Sequence, residues 1–510
     1  MTSVSIDLYR RKLSKALSYA DDEGFCQLCW AIDALQSGRE QVAARMLKYE
    51  PGDVVREPNQ KRFIHKWRLE TLVNELLTHP KASLKHGVNR KLNHENFNGI
   101  ANVFNILGKL EDAEYGRSGH PRNIREELAR IGHRQFDWQR SVFNEADLTR
   151  SLILFNGANA SAYFLDRYGL SVADFMTAGF GMWLQLQKSA FFVPPLNVPE
   201  VGLTPEVFAL ASPLMIISED EARTEAVALR RAAQAPTAYK PSLLRRFPCI
   251  SFGQGTRIRA PLQDLVFARI TSGLYYDVVG GRRRVNTEIG NRFEKYCLEL
   301  LSESFSESTW MPAVEYQLNG ASHTPDILLM EAGQCKLVLE CKAKRMTMGA
   351  RFGEDPYAEA KVGFDEIAYG VFQTWRYFSH SRRGMIPGHS TSDDAFGVVL
   401  TLDPWLRMAS DRYTMLLGLA NTLADADEEI VAEDRRPVAF CSVQDLEALC
   451  RKASLTSLVE TFRRAASEEY AGYLLSVLHD EFAPNPPINR DYPFGDQIGD
   501  HFPWWGEIGQ

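Results

Sequence analysis

The chain has no uncharged apolar run of about 18 residues, the length a membrane-spanning helix needs, so its 510 residues are expected to contain no membrane span. Two stretches, ILFNGANASAYFLDRYGL and FMTAGFGMWLQLQKSAFFVPP, are apolar but interrupted, and read as buried helices. The opening residues MTSVSIDLYRRKLSK lack the apolar core of a signal peptide, so a cytoplasmic location is expected. Cysteine is scarce and unpatterned: of eight, only Cys26 and Cys29 stand close together, with neither a second pair nor histidines at ligand spacing. A zinc or redox role there lacks ligands, and buried thiols are the expectation. Glycine-rich segments such as GQGT do not end in Gly-Lys-Ser/Thr, which excludes a phosphate-cradling motor loop of that kind. No fixed repeat period is visible. What remains is 45% hydrophobic and 24% charged, the composition of a globular chain long enough for two or more domains.

The chemistry concentrates in TPDILLMEAGQCKLVLECKAKRM, residues 324–346. Two apolar runs separated by the turn-forming EAGQ read as a tight β-hairpin. Strand periodicity is 2, so Lys336, Val338, Glu340, Lys342 and Lys344 share one face, while Leu337, Leu339 and Cys341 share the other. Asp326 opens the preceding strand and reaches the same end. Two carboxylates beside an ammonium suit a divalent cation and a water poised for attack on phosphorus. The alternative is a surface hairpin whose Asp326, Glu340 and Lys342 form an exposed salt-bridge cluster of small energetic worth.

The flanks read as further elements. TEIGNRFEKYCLELLSESF places Ile289, Phe293, Tyr296, Leu300 and Leu301 at amphipathic helical spacing. AVEYQL reads as a first strand, PDILLM as a second and KLVLECKAK as a third. YAEAKVGFDEIAYGVFQTWRYFSH reads as a long helix and AFGVVLTLD as a fourth strand. This order, α-β-β-β-α-β over residues 286–403, together with Pro325-Asp326 and Glu340-x-Lys342, resembles the PD-(D/E)xK (restriction-endonuclease-like) nuclease superfamily. Gln373 and Tyr377, four residues apart and so on one helical face, resemble the Q-x-x-x-Y pair of its RecB-type branch. Glu294 in RFEKY matches the metal-assisting glutamate of the first helix, with Glu288 a weaker candidate.

The resemblance implies a fold class of α+β/α: a helical N-terminal region followed by a PD-(D/E)xK core, a mixed central sheet flanked by helices. It implies a Mg²⁺-dependent phosphodiesterase acting on nucleic acid, with Mn²⁺ able to substitute. Asp326, Glu340, the backbone carbonyl of Cys341 and Glu294 would be metal ligands. Glu340, Asp326, Glu294 and Lys342 would form the catalytic set, and Gln373, Tyr377 and Lys344 would support it or touch the nucleic acid. DNA is favoured over RNA as substrate. An RNase on the same core, or a nucleic-acid- or protein-binding module without cleavage, is the alternative. A large unassigned module beside one nuclease site resembles, by analogy of architecture, genome-defence (antiviral) or DNA-processing effectors.

Charge is compatible with that reading. The chain carries −7 overall, yet residues 235–390 hold about 20 Lys and Arg against about 16 Asp and Glu. Arg245–Arg246, Arg257, Arg259, Arg282–Arg284 and Arg382–Arg383 supply clusters suited to a phosphate backbone. The expected domains are a helical accessory, sensing or partner-docking part over 1–235, a strand-containing bridge over 236–287, a nuclease domain over 288–450, and a C-terminal helix and aromatic tail over 451–510.

Overall fold

The structure, a computed structural model, describes residues 2–82, 92–117, 124–138, 144–317, 320–388, 390–483, 488–502 and 505. It is a mixed α/β protein that divides into two compact units. Unit 1 comprises Met1–Arg122, Arg134–Gly281 and Gln497–Gln510; unit 2 comprises Asn123–His133 and Arg282–Asp496. No described helix is long and apolar enough to cross a membrane.

In unit 1 the helices Thr2–Ser18, Asp22–Gln36, Lys66–Thr78 and Phe97–Arg117 follow the amphipathic patterns of the sequence. Asp21 caps the second of them, its carboxylate accepting the Gly24 N–H at 2.7 Å. Their apolar faces meet in a core that includes Phe25, Trp30, Leu35, Leu72, Leu76, Ile100 and Leu107. Buried inside is an ion network. Lys66 Nζ lies 2.7 Å from both Asp33 and Asp264, and Arg39 and Gln263 also reach Asp33, at 3.0 and 2.8 Å. Mutual pairing is what makes such charges tolerable away from water. The region is not purely helical. Ile216–Ser218 pairs in parallel with Cys249–Phe252, which pairs antiparallel with Arg257–Arg259. The segment expected to be a separate bridge divides at Gly281, its strands packing within unit 1.

Unit 2 is built on a five-stranded mixed sheet in the order Val438–Ser442, Ser390–Thr401, Gln334–Lys342, Ile327–Glu331, Thr309–Pro312. The first three run parallel; the last two are antiparallel to their neighbours. Helix Lys361–Arg382 covers one face, packing Phe364, Ile367, Val371, Trp375 and Phe378 with Val338 and Val399 of the strands. Helix Arg282–Ser304 covers the other, its buried Val285, Ile289, Phe293, Tyr296, Leu300 and Leu301 at helical spacing.

Two readings of the sequence are corrected. The edge strand is Thr309–Pro312, with Trp310 buried, rather than AVEYQL. Pro312 can donate no ladder hydrogen bond, the sheet strand ends there, and Glu315–Gln317 turns back on Ala321–His323 as a separate hairpin. The C-terminal helix expected within 451–510 is broken into Leu455–Ala465 and Leu475–Asp480, with Gly472 between them at φ 84°. One segment of the expected N-terminal domain belongs to unit 2. Within Asn123–His133, Glu126 holds the buried Arg412 at 2.8 Å and Arg130 Nε donates to the Gly353 carbonyl at 3.0 Å.

Candidate active site

The antiparallel register of the hairpin sets the site. Ile327 pairs with Leu339, so one step further Asp326 stands opposite Glu340 with its side chain on the same face of the sheet. The approach to Asp326 is fixed by the buried Thr324, whose N–H donates to the Val314 carbonyl at 3.0 Å and whose hydroxyl accepts the Val314 N–H at 2.9 Å. Asp326 Oδ2 then accepts the backbone N–H of Cys341 at 2.7 Å, closing the end of the hairpin. Along a strand the N–H and C=O of one residue point to the same edge, so the Cys341 carbonyl lies on the Asp326 side. The Cys341 thiol turns to the opposite face, toward Cys297 of helix Arg282–Ser304. All eight cysteines are buried and unbridged.

Glu340 is 3% exposed, so this is no solvated surface cluster. Its Oε1 accepts from Lys342 Nζ at 2.8 Å; its Oε2 is buried without a hydrogen-bond partner. A buried carboxylate oxygen left unpaired is costly. Lys342 also donates to Gln373 Oε1 at 2.7 Å, and its ammonium lies 5.9 Å from the centre of the Tyr369 ring. Gln373 and Tyr369 belong to helix Lys361–Arg382, which comes this close because residue 370 is glycine. A Cβ there would meet Lys342 Cε at 3.0 Å and Glu340 Cγ at 3.5 Å.

The electrostatics are those of crowded acid. Asp326 is raised well above the ordinary carboxylate range by burial, then by the charges of Glu340 and Glu294, against a smaller lowering by the Cys341 N–H. Glu340 is raised by burial despite Lys342. Glu294, half-buried on helix Arg282–Ser304, is raised by burial and then by Glu340. Burial opposes the charge on Lys342, but Glu340 and Asp326 outweigh it, and its pKa is raised. Lys342 is therefore held as an ammonium that donates hydrogen bonds to Glu340 and Gln373.

Among the described residues no group of three or more His, Cys, Asp or Glu side chains converges closely enough to hold a metal ion. The donor set nevertheless fits a hard divalent cation. Mg²⁺ takes one or two carboxylates and keeps several waters, and an unpartnered Glu340 oxygen opposite Asp326, with a backbone carbonyl at the same edge, supplies that sparse all-oxygen set.

The remaining expected residues scatter. Tyr377 is buried, its hydroxyl directed to Thr391 and Cys335, which pair with each other at the far end of strand Gln334–Lys342. Only Gln373 of the Q-x-x-x-Y pair contacts Lys342. Lys344 lies beyond the strand, paired with Glu366 at 3.0 Å. Glu288 is half-buried on the same helix as Glu294. The basic clusters are largely neutralised internally. Arg245 pairs with Glu70, Arg257 and Arg259 with Glu23, Arg382 with Asp434, and Arg383 with Glu429. Three further residues belong to the site: Tyr369, Gly370 and Arg376. Arg376, half-buried three residues after Gln373, exerts its charge on Glu340 and stacks on Phe372. Counting by helical turns back and forward from Gln373 picks all three out of the sequence.

Compared with family models, curated proteins and solved structures, the chain matches none of them.

Proposed function

We propose that unit 2 is a divalent-cation-dependent nuclease of the PD-(D/E)xK type that hydrolyses phosphodiester bonds, with DNA as its substrate. One observation carries the reading: Asp326 and Glu340 stand opposite each other with a buried, unpartnered carboxylate oxygen, beside a lysine held by both Glu340 and Gln373. A structural salt bridge has no need of that excess of buried negative charge; a cation-binding site does.

Asp326, Glu340 and the Cys341 carbonyl would hold Mg²⁺ or Mn²⁺, with Glu294 contributing through its charge or a shared water. Bound there, the ion would lower the pKa of a coordinated water and offset charge developing on the phosphoryl oxygens. Lys342 orients the attacking water and stabilises the transition-state oxyanion, since its proton is held firmly by the neighbouring carboxylates. Gln373 fixes the lysine rotamer through its amide oxygen, while its amide faces the Glu340 carboxylate and acts to lower that group's pKa. Arg376 offers a positive charge on the same helical face for a substrate phosphate.

The test is incubation of the full-length chain with end-labelled duplex DNA, single-stranded DNA and structured RNA, each with Mg²⁺, Mn²⁺ or EDTA. Cation-dependent cutting of DNA is the expected result. Cutting of RNA alone would make the protein an RNase on the same core, reading 2′-hydroxyl groups. Binding of nucleic acid without cleavage under any of these conditions would refute the enzymatic reading.

A further inference from the structure

Unit 1 carries an open surface pocket of about 500 Å³ lined by Arg10, Arg11, Ser14, Lys15, Ser18, His79 and Arg230. We propose that this cavity binds a ligand carrying two or more phosphate charges, such as a nucleotide polyphosphate or the phosphodiester backbone of a nucleic-acid strand. The inference stands independently of the nuclease reading.

The cavity follows from helical spacing. On helix Thr2–Ser18, Arg10, Ser14 and Ser18 form one row at intervals of four and Arg11 and Lys15 the adjacent row, so cations and hydroxyls share one face. The opposite wall is His79, ending helix Lys66–Thr78, and Arg230 of helix Glu219–Ala232. Arg230 is fixed there by Glu75 at 3.1 Å and by the Thr78 hydroxyl at 2.6 Å. Glu75 also lies 3.6 Å from His79 Nε2, and Glu114 holds Arg10 at 2.9 Å.

Those two carboxylates leave the lining short of negative charge. Among the described residues neither Arg11 nor Lys15 has an ion-pair or hydrogen-bond partner for its side chain, and both are exposed. The usual employment of a lysine in a last helical turn, satisfying C-terminal carbonyls, is taken by Lys81. Its ammonium donates to the Ala20 carbonyl at 2.9 Å and to the Leu17 carbonyl at 3.4 Å. The pKa of neighbouring Lys240 is lowered, first by burial and then by the charges of Arg230 and Arg10, against the pull of Glu75 and Glu114. In a chain of net charge −7, an excess of cations around an open concavity favours an anion. Two unpaired cations, a guanidinium wall and interleaved serine hydroxyls match the several oxygens of linked phosphates better than one carboxylate.

The experiment uses the full-length protein in EDTA at low salt. ATP is titrated by calorimetry, and a fluorescein-labelled single-stranded DNA 12-mer without terminal phosphate is followed by anisotropy. The Arg11→Ala/Lys15→Ala double variant is compared with Lys12→Ala, an exposed cation on the same helix outside the cavity. The expected result is a loss of affinity of about tenfold or more in the double variant for at least one probe, with Lys12→Ala near wild type and all three proteins melting alike. Loss for ATP alone identifies a free nucleotide as the source of the phosphates; loss for the 12-mer alone identifies a nucleic-acid backbone. Absence of binding by both probes, or equal affinities in the double variant and wild type, would overturn the proposal. Because no divalent cation and no cleavage are involved, that failure would leave the Asp326 site untouched.

Discussion

Replacing Asp326 with asparagine should make unit 2 more stable in the absence of divalent cations and remove its stabilisation by them. The substitution keeps the one structural bond Asp326 makes, because an amide oxygen accepts the Cys341 N–H as a carboxylate does. It removes a negative charge that burial, Glu340 and Glu294 all oppose. A buried polar group left without compensation costs about 1–3 kcal/mol, more when charged. At roughly 2–4 °C per kcal/mol for a unit of about 200 residues, Asp326→Asn should melt about 2–12 °C higher than wild type in EDTA at pH 8. Wild type should recover the difference on adding cation, since a ligand at 100 times its Kd contributes about 2.7 kcal/mol, or roughly 5–10 °C. Scanning calorimetry of both proteins in EDTA and in Mg²⁺ gives all four values. A variant less stable than wild type in EDTA, with equal Mg²⁺ shifts in the two proteins, would refute the idea that these carboxylates are stressed for a cation.

Gly370→Ala should leave the fold intact, as helix propensity gains about 1 kcal/mol, yet cut activity about tenfold or more by displacing Lys342, whose Cε would lie 3.0 Å from the new methyl. Circular dichroism and initial cleavage rates separate the two effects. Gln373→Ala should lower kcat by roughly tenfold through loss of a lysine-positioning hydrogen bond, whereas Tyr377→Phe should leave kcat near wild type, its hydroxyl facing Thr391 instead. Equal losses in both would restore the Q-x-x-x-Y pair as a unit. In unit 1, Glu23 is held down from 4.5 to about 2, chiefly by its hydrogen bond to Arg257 with Arg259 assisting. A depressed carboxylate stabilises the fold above its unfolded pKa, so that contribution should fade as pH falls from about 4.5 toward 2. The acid transition of Glu23→Gln should lack that component.

Much of the hairpin was legible because period-2 alternation assigns faces without knowledge of the partners. Val338, Glu340 and Lys342 do share the face that meets helix Lys361–Arg382, while Cys341 turns away to Cys297. The helix Arg282–Ser304 was legible for the same reason at period 3.6. The edge strand was missed because TWMP is short and its apolar content is a single buried Trp310, whereas AVEYQL carries the stronger local β pattern. Tyr377 stands apart from Lys342 because four-residue spacing fixes a shared helical face but not which end of a strand that face meets. Internal pairing explains the rest. Arg257 and Arg259 look free in sequence, yet their partner Glu23 lies more than 200 residues earlier. The placement of residues 123–133 with unit 2 likewise depends on Arg412 finding Glu126.

The account's central claim is that Asp326 and Lys342 belong to one cation-dependent hydrolytic centre. Its most direct test is the single-turnover rate of duplex DNA cleavage by wild type, Asp326→Asn and Lys342→Ala, each in Mg²⁺ and in EDTA. The account predicts cleavage by wild type in Mg²⁺ alone, with both variants slower by at least about 100-fold while remaining folded. Cleavage that persists in both variants, or that proceeds in EDTA, would contradict it.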